Sequence, residues 1–290
     1  METIHTIDWM QQIARDARLK ERILGLVPTM GALHEGHLSL VREALRRCSP
    51  VVVSLFVNPK QFGPAEDFQK YPRTLEADLE ALERLGVDYL FAPSPEEMYP
   101  RGFRTAVIVE GLGDRLEGRS RPGHFRGVAT VVLKLFGIVQ PRFAFFGRKD
   151  AQQVLIIRRM ASDLNLDAEV VTCPIVREPG GLALSSRNAY LDAGERQSAT
   201  ALYRSLDAAR QAIESGDRDP MRILAGLRKV IDVEAPVALD YAEIVDAETL
   251  EPATTLRRPS YILVAARVGG TRLIDNALIE PEGDELRVSL

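Results

Sequence analysis

Ile23-Leu24-Gly25-Leu26-Val27-Pro28-Thr29-Met30-Gly31-Ala32-Leu33-His34-Glu35-Gly36-His37 is the stretch that decides the fold. Its first five residues form a short apolar run of the kind a buried parallel strand shows. Beyond it, Leu38, Val41 and Leu45 recur at helical spacing, and Leu40 and Ala44 widen the stripe. The pattern is strand, tight glycine-bearing turn, helix. Gly31 and Gly36 allow a close backbone approach, and the helix start behind them is expected to offer N–H groups and a positive dipole end to an anion. His34 and His37, three positions apart at the mouth of the turn, can both face one bound phosphate and donate to it. Taken alone the pair reads equally well as a surface coincidence or as half a metal site. A zinc centre asks for three or four ligands, however, and His5 and His124 are the only other histidines.

The rest of the chain supplies the context. With 290 residues, 46% hydrophobic and 27% charged, it is long enough for two modest domains or one large one. A net charge of -4 argues against a general nucleic-acid binder. The first residues lack the charged and apolar regions of a signal peptide, and the longest apolar run, Val51 to Val57, is too short to span a bilayer. Cys48 and Cys173 lie far apart beside apolar strands, which fits buried reduced thiols in a cytoplasmic protein.

Residues 6–20 read as a helix. Pro50 introduces a second buried strand over 51–57, which runs into the loop Asn58-Pro59-Lys60-Gln61-Phe62-Gly63-Pro64. In a parallel sheet that loop leaves the carboxyl edge, the edge that carries the histidine turn and where ligands bind. Thr74 should cap a helix with Leu75, Leu79, Leu82 and Leu85 as its stripe, and Gly86 should stop it. Strands are expected over 87–92 and 105–109, a polar arginine-rich loop over 111–126, and a helix marked by Val128, Val131, Val132 and Leu135. A strand over 142–146 meets Gly147-Arg148-Lys149-Asp150, where a lysine at a helix start suits a phosphate. A helix with Val154, Ile157, Ala161 and Leu164 and a strand over 167–173 follow.

Val176 leads into a Pro179-Gly180-Gly181 turn, read as mobile, and then Leu184-Ser185-Ser186-Arg187-Asn188. Two hydroxyls and a guanidinium fork there could clamp phosphates. Asp192 should cap one long helix to about Ser215, and Asp219 another to Ile231. Segments 238–245, 260–268 and 271–279 alternate like antiparallel strands, the last two joined by Gly269-Gly270. The fold class expected is α/β: a Rossmann-like parallel sheet with helices on both faces over residues 1–176, then a smaller C-terminal α+β lid over 177–290.

Six segments together resemble the pantothenate synthetase family, the pantoate–β-alanine ligases: VPTMGALHEGH at 27–37, NPKQFGPAEDF at 58–68, YPRTLEAD at 71–78, RPGHFRGVAT at 121–130, FFGRKDAQQ at 145–153 and LSSRN at 184–188. The resemblance implies a nucleotidyltransferase-type Rossmann domain with a HIGH-type motif. It implies ATP over Met30, Gly31, Ala32, Leu33, His34, Glu35, Gly36 and His37, with His37 as proton donor. It further implies ATP on Gly147, Arg148, Lys149, Asp150, Val176, Leu184, Ser185, Ser186 and Arg187, and pantoate on Gln61 and Gln153. His34, Lys149, Ser185, Ser186 and Arg187 join His37 as the groups that supply donors and charge, with Mg²⁺ shared among the phosphates and metal ligands unassigned. Arg148 and Leu184 depart from the family's usual acidic residue and methionine, and Arg187 stands in for the KMSKS lysine. A homodimer and a cytoplasmic location are implied as well. The residues also admit a nucleotidyltransferase acting on a phosphorylated acceptor, which needs no amine, and a nucleotide-sensing module that binds without turnover.

Overall fold

The computed structural model describes residues 1–63, 68–283 and 285–290. The loop reading at Pro64 and the part of the second matching segment over 64–67 therefore lie outside the described residues. The chain forms two compact units, one of Met1–Arg148 with Gln152–Pro174 and one of Lys149–Ala151 with Ile175–Leu290.

The first unit runs β1 (Glu2–Ile4), α1 (Ile7–Leu19), β2 (Gly25–Thr29), α2 (Glu35–Arg47), β3 (Val51–Leu55), α3 (Leu75–Leu85) and β4 (Tyr89–Phe91). It continues through α4 (Pro95–Met98), α5 (Glu117–Ser120), α6 (His124–Val139), β5 (Phe143–Gly147), α7 (Ala151–Asp163) and β6 (Glu169–Cys173). Its six strands are all parallel, in the order β1-β4-β3-β2-β5-β6. Chain order turns back on itself at β2, which pairs with β3 on one side and β5 on the other. A crevice outside the carboxyl ends of such strands is where open α/β sheets take ligands, and the histidine turn leaves β2 there.

One face of the sheet buries Val27, Val51, Val53, Phe145 and Val171 against Leu40, Val41 and Ala44 of α2 and Leu82 of α3. Cys48 and Cys173 lie in the same cluster, both free and buried. Loss of hydration pushes both thiols from an ordinary 9.0 up to about 11. A folded value raised in this way holds its stabilising contribution below the unfolded value and loses it as pH rises toward the folded one. Neither thiol is expected to react with an aromatic disulfide reagent at about pH 8 until urea opens the fold. Rapid labelling of the native protein would contradict that burial.

Several local expectations change. Thr74 precedes α3, but its hydroxyl donates to Asp78 Oδ1 at 3.1 Å rather than accepting from the helix amides. The buried face of α3 is Asp78 and Leu82, while Leu75 is 49% exposed. Residues 105–109 form no strand. The arginine-rich stretch is not all loop, because it contains α5 and its end, Arg126, is in the first turn of α6.

The second unit runs α8 (Ala193–Ala199), α9 (Ala201–Glu214), α10 (Pro220–Asp232), β7 (Val237–Asp246), β8 (Ser260–Val268), β9 (Thr271–Glu282) and β10 (Glu285–Ser289). The four strands make an antiparallel sheet in the order β10-β9-β8-β7. Leu202, Leu206 and Ile213 of α9 and Ile223, Leu227 and Ile231 of α10 pack with Ile244, Ile262, Val264 and Ala277 of the sheet. The expected single helix from Asp192 is two, interrupted at Thr200, whose hydroxyl donates to the Gln197 carbonyl at 2.6 Å. Asp192 does cap the first of them, with Glu195 completing a capping box. No described helix is long and apolar enough to cross a membrane.

Candidate active site

Beyond β2 the backbone enters left-handed conformation twice in succession, at Gly31 (φ +80) and Ala32 (φ +51). A side chain at position 31 would be strained by that φ and crowded, its Cβ 3.1 Å from Asp78 Oδ2. The Thr29 hydroxyl donates to the Ser54 carbonyl at 2.8 Å and accepts from the Gly31 amide at 3.3 Å, so β3 fixes the start of the turn. The next two amides do not face outward as a ligand cradle. Ala32 N–H donates to Asp78 Oδ2 at 2.9 Å and Leu33 N–H to Asp78 Oδ1 at 2.8 Å. The donors expected to meet an anion are those at the start of α2, which these two bonds do not involve.

His34 stands before the first turn of α2, and His37 sits within it. Their half-buried rings lie side by side, centroids 4.1 Å apart and tilted by 30°. His34 N–H donates to His37 Nδ1 at 3.4 Å. A neutral ring whose Nδ1 accepts carries its proton on Nε2, so Nε2 is the ring's donor. The Glu35 side chain is exposed and paired with Arg42, which lowers its carboxyl below the usual range. What Glu35 has left to offer is its backbone.

Gln61 ends a 3-10 turn over Pro59–Gln61 and is 8% exposed. Its Nε2 donates to Met30 Sδ at 3.1 Å, which joins the histidine turn to the loop after β3. Its Oε1 accepts from Asn58 Nδ2 at 3.0 Å, so the amide orientation is set by Asn58. Asn58 is held in turn by the Gly127 carbonyl at 3.1 Å and by the Tyr99 hydroxyl at 2.8 Å. Burial pushes the Tyr99 phenol well above its ordinary range, so it stays a donor. His124 Nδ1 lies 2.8 Å from the Gln61 carbonyl, and Arg121 lies 3.0 Å from His124 Nε2. Since the guanidinium only donates, Nε2 accepts and Nδ1–H donates to the carbonyl. Sequence reasoning considered His124 only as a metal ligand and gave Asn58 and Tyr99 no role. The available signal was that Asn58 and His124 both fall inside matching segments.

Position 127 explains how closely the 3-10 turn lies on α6. A Cβ there would sit 2.2 Å from the Lys60 carbonyl oxygen and 2.6 Å from Gln61 Cα, both backbone atoms. Gly127→Ala must therefore move Gln61, and we expect a loss of about 1–3 kcal/mol by urea unfolding. An unchanged stability would mean that the turn can shift off α6 without cost.

Of the adjacent glutamines on α7, Gln152 is 4% exposed and fully engaged with the 112–117 loop. It accepts from Glu117 N–H at 3.1 Å and donates to the carbonyls of Leu112 and Arg115 at 2.7 and 3.0 Å. Gln153 is half-buried beside it. Arg148, just past β5, is 9% exposed.

The second unit organises the remaining motif residues by itself. The Lys149 carbonyl accepts from Asn276 Nδ2 at 2.9 Å, and its ammonium lies 3.8 Å from Asp150. Leu184 N–H donates to the Val176 carbonyl at 2.9 Å, and Ser185 Oγ accepts from Arg187 N–H at 3.3 Å. The Pro179-Gly180-Gly181 turn is pinned rather than mobile. Gly181 (φ +91) lies so close to the Tyr203 ring that a Cβ would come within 2.2 Å of it. Arg177 donates to the Gly181 carbonyl at 3.0 Å, stacks 4.8 Å from the Tyr203 centroid, and pairs with buried Asp275 at 2.6 Å. Glu178 accepts from Asn188 at 3.0 Å and Arg196 at 2.6 Å, which closes the far side.

Among the described residues no three His, Cys, Asp or Glu side chains converge as a metal site. Within the first unit the motif side chains are imidazoles and amides, and within the second they are hydroxyls, an ammonium and a guanidinium, each a set that can donate to an anion.

Comparison with known proteins gives consistent results. The family model described as pantoate-beta-alanine ligase matches residues 2–278. Pantothenate synthetase of Pelotomaculum thermopropionicum is 52% identical over 279 residues, spanning 96% of this chain and 99% of its own. Pantothenate synthetase of Thermotoga petrophila is 53% identical over 279 residues, spanning 96% of this chain and 100% of its own. The crystal structure of pantothenate synthetase from Thermus thermophilus matches with a TM-score of 0.90 at 48% identity, over 95% of this chain and 98% of that one. A pantoate-beta-alanine ligase from Francisella tularensis, complexed with beta-gamma ATP and beta-alanine, matches with a TM-score of 0.78 at 35% identity, over 95% and 97%.

Proposed function

The chain belongs to the pantoate–β-alanine ligase family, and from that premise we propose that it condenses (R)-pantoate with β-alanine, using ATP, to give (R)-pantothenate, AMP and diphosphate. The observation that carries this reading is the match of the family over residues 2–278, nearly the whole chain.

A carboxylate does not acylate an amine at neutral pH, because its oxygen is a poor leaving group. Attack of the pantoate carboxylate oxygen on the α-phosphorus of ATP breaks the bond to the β-phosphate and gives pantoyl adenylate and pyrophosphate. The β-alanine nitrogen then attacks the activated carbonyl, forms the amide, gives up its proton and expels AMP. The first step calls for alignment and for donors aimed at the growing charge. We assign ATP to Met30, Gly31, Ala32, Leu33, His34, Glu35, Gly36 and His37, with His37 Nε2–H as the donor to the departing pyrophosphate. Gly147, Arg148, Lys149, Asp150, Val176, Leu184, Ser185, Ser186 and Arg187 complete the nucleotide contacts, and Lys149, Ser185, Ser186 and Arg187 act on the phosphates.

Gln61 and Gln153 are assigned to pantoate, whose hydroxyls and carboxylate ask for donors and acceptors together. The buried bond from Asn58 supports Gln61 in that part, since it fixes the direction of the amide. Mg²⁺ bound with ATP would supply countercharge at the phosphates assigned to Lys149, Ser185, Ser186 and Arg187. Residues 177–290 are proposed as a lid domain, the cytoplasm as the enzyme's location and a dimer as its state, which light scattering tests.

Product analysis tests the reaction itself. AMP and pyrophosphate are expected only when pantoate, β-alanine and ATP are all present, with pantoyl adenylate detectable by mass spectrometry when β-alanine is left out. ADP as product would exclude it, and a stable nucleotidyl product formed without an amine would favour the nucleotidyltransferase reading.

A further inference from the structure

We propose that Asp78 is a positioning residue for the adenylate-forming half of the reaction: its carboxylate holds the histidine turn in the one conformation that aims His37. The inference rests on the function read above and deepens it. Asp78 is 2% exposed, and among the described residues its partners are all N–H or O–H donors. Both oxygens are used, Oδ2 by the Ala32 amide at 2.9 Å and Oδ1 by the Leu33 amide at 2.8 Å and the Thr74 hydroxyl at 3.1 Å.

A buried carboxylate is costly unless its lone pairs are matched, and successive backbone N–H groups of a turn can converge on an anion. Gly31 at φ +80 and Ala32 at φ +51 make that concavity, and Asp78 fills it from α3. The next amide along, His34 N–H, donates to His37 Nδ1 at 3.4 Å. Three consecutive amides are thus committed, two to Asp78 and one to the imidazole. The carboxylate fixes the 31–32 and 32–33 peptides, which set the course of the chain into the following peptide that carries His34 N–H, and that N–H fixes the ring nitrogen and direction of His37. Strain of this kind persists only where its surroundings hold it; Thr29 holds the turn at Gly31, and Asp78 is the side chain that holds the Ala32 and Leu33 amides.

Asp78→Asn tests this. The amide nitrogen of asparagine cannot accept, so one backbone N–H of the turn is left facing an N–H. The two half-reactions are measured separately: pyrophosphate release from ATP and pantoate in a single turnover, and pantothenate formation from pre-formed pantoyl adenylate and β-alanine. We expect the first to slow by at least about tenfold and the second to stay within about twofold. Asp78→Glu should not restore the first. Slowing of both half-reactions alike would mean a general loss of structure, and no slowing would mean an idle anchor; either overturns the inference. Should Asp78→Asn fail to fold, Thr74→Val takes its place, because it removes one donor and keeps the carboxylate. It is expected to slow the first half-reaction by about threefold and spare the second, and the same two outcomes count against it. Wild-type protein run alongside separates the two levels. Absence of AMP and pyrophosphate from the wild type overturns the functional reading, whereas an active wild type with an equally active Asp78→Asn overturns only the positioning role.

Discussion

His37→Ala is expected to slow pyrophosphate release from ATP and pantoate by on the order of a hundredfold or more while the fold stays intact. A factor of a hundred is about 2.7 kcal/mol of transition-state stabilisation, the scale of one well-aimed donor in a site that excludes water. The ring projects from the first turn of α2, half-buried, so its loss opens little of the core. Its Nδ1 is engaged by His34 N–H, which leaves Nε2 as the donor. An interaction made only as the phosphate oxygens gain charge lowers kcat and kcat/KM together and leaves ATP binding nearly unchanged. Single-turnover release at close to the wild-type rate would remove His37 from the role assigned to it. Lys149→Ala should behave similarly, because the ammonium offers a point charge to the same phosphates.

Asp275→Asn should cost about 3–5 kcal/mol of stability. Asp275 has 2% of its side chain exposed and Arg177 13%, and they meet through two hydrogen bonds of 2.6 and 3.1 Å. The amide keeps the shape and removes the countercharge, so the guanidinium stays buried beside Tyr203 and the Gly181 carbonyl with no anion against it. A cation stranded in this way costs more than the pair contributes when whole. Arg177→Met combined with Asp275→Leu should therefore recover much of the loss seen with Asp275→Asn alone. Chemical denaturation of the single and double variants gives the comparison, and a loss below about 1 kcal/mol for Asp275→Asn would mean that water reaches the pair. Since Arg177 also fixes the turn before Ser185, the single variant should raise the KM for ATP.

The comparison of sequence and structure separates along physical lines. The centre of the parallel sheet could be read because β2, β3 and β5 are short, largely buried apolar runs visible within a window of a few residues, whereas the edge strand β1, with Glu2 and Thr3 exposed, carries no such signal. Strand β8, over Ser260–Val268, and the Gly269-Gly270 hairpin were visible because alternation and turn chemistry are equally local. Local pattern misled where a tertiary partner outbid it. Residues 105–109 look like a strand, yet the Val107 amide goes to the Thr130 hydroxyl at 3.0 Å on α6. Thr74 looks like a cap, yet its hydroxyl goes to Asp78 four residues on, a carboxylate that the distant Ala32 and Leu33 amides hold in place.

The sequence by itself determined that the chain is an α/β protein with a histidine turn between a buried strand and a helix, and that six ordered segments resemble one ligase family. Only the tertiary structure decided that Gln152 is spent on a loop while its neighbour Gln153 is not, that Asn58 sets the Gln61 amide, and that the turn's amides belong to Asp78. The reason is that these choices of partner depend on long gaps, 45 residues from Leu33 to Asp78 and 40 from Leu112 to Gln152, and that the local Asn58–Gln61 bond is oriented by Gly127, 69 residues from Asn58. A buried donor must find an acceptor, but which one it finds is fixed only when packing brings the two together.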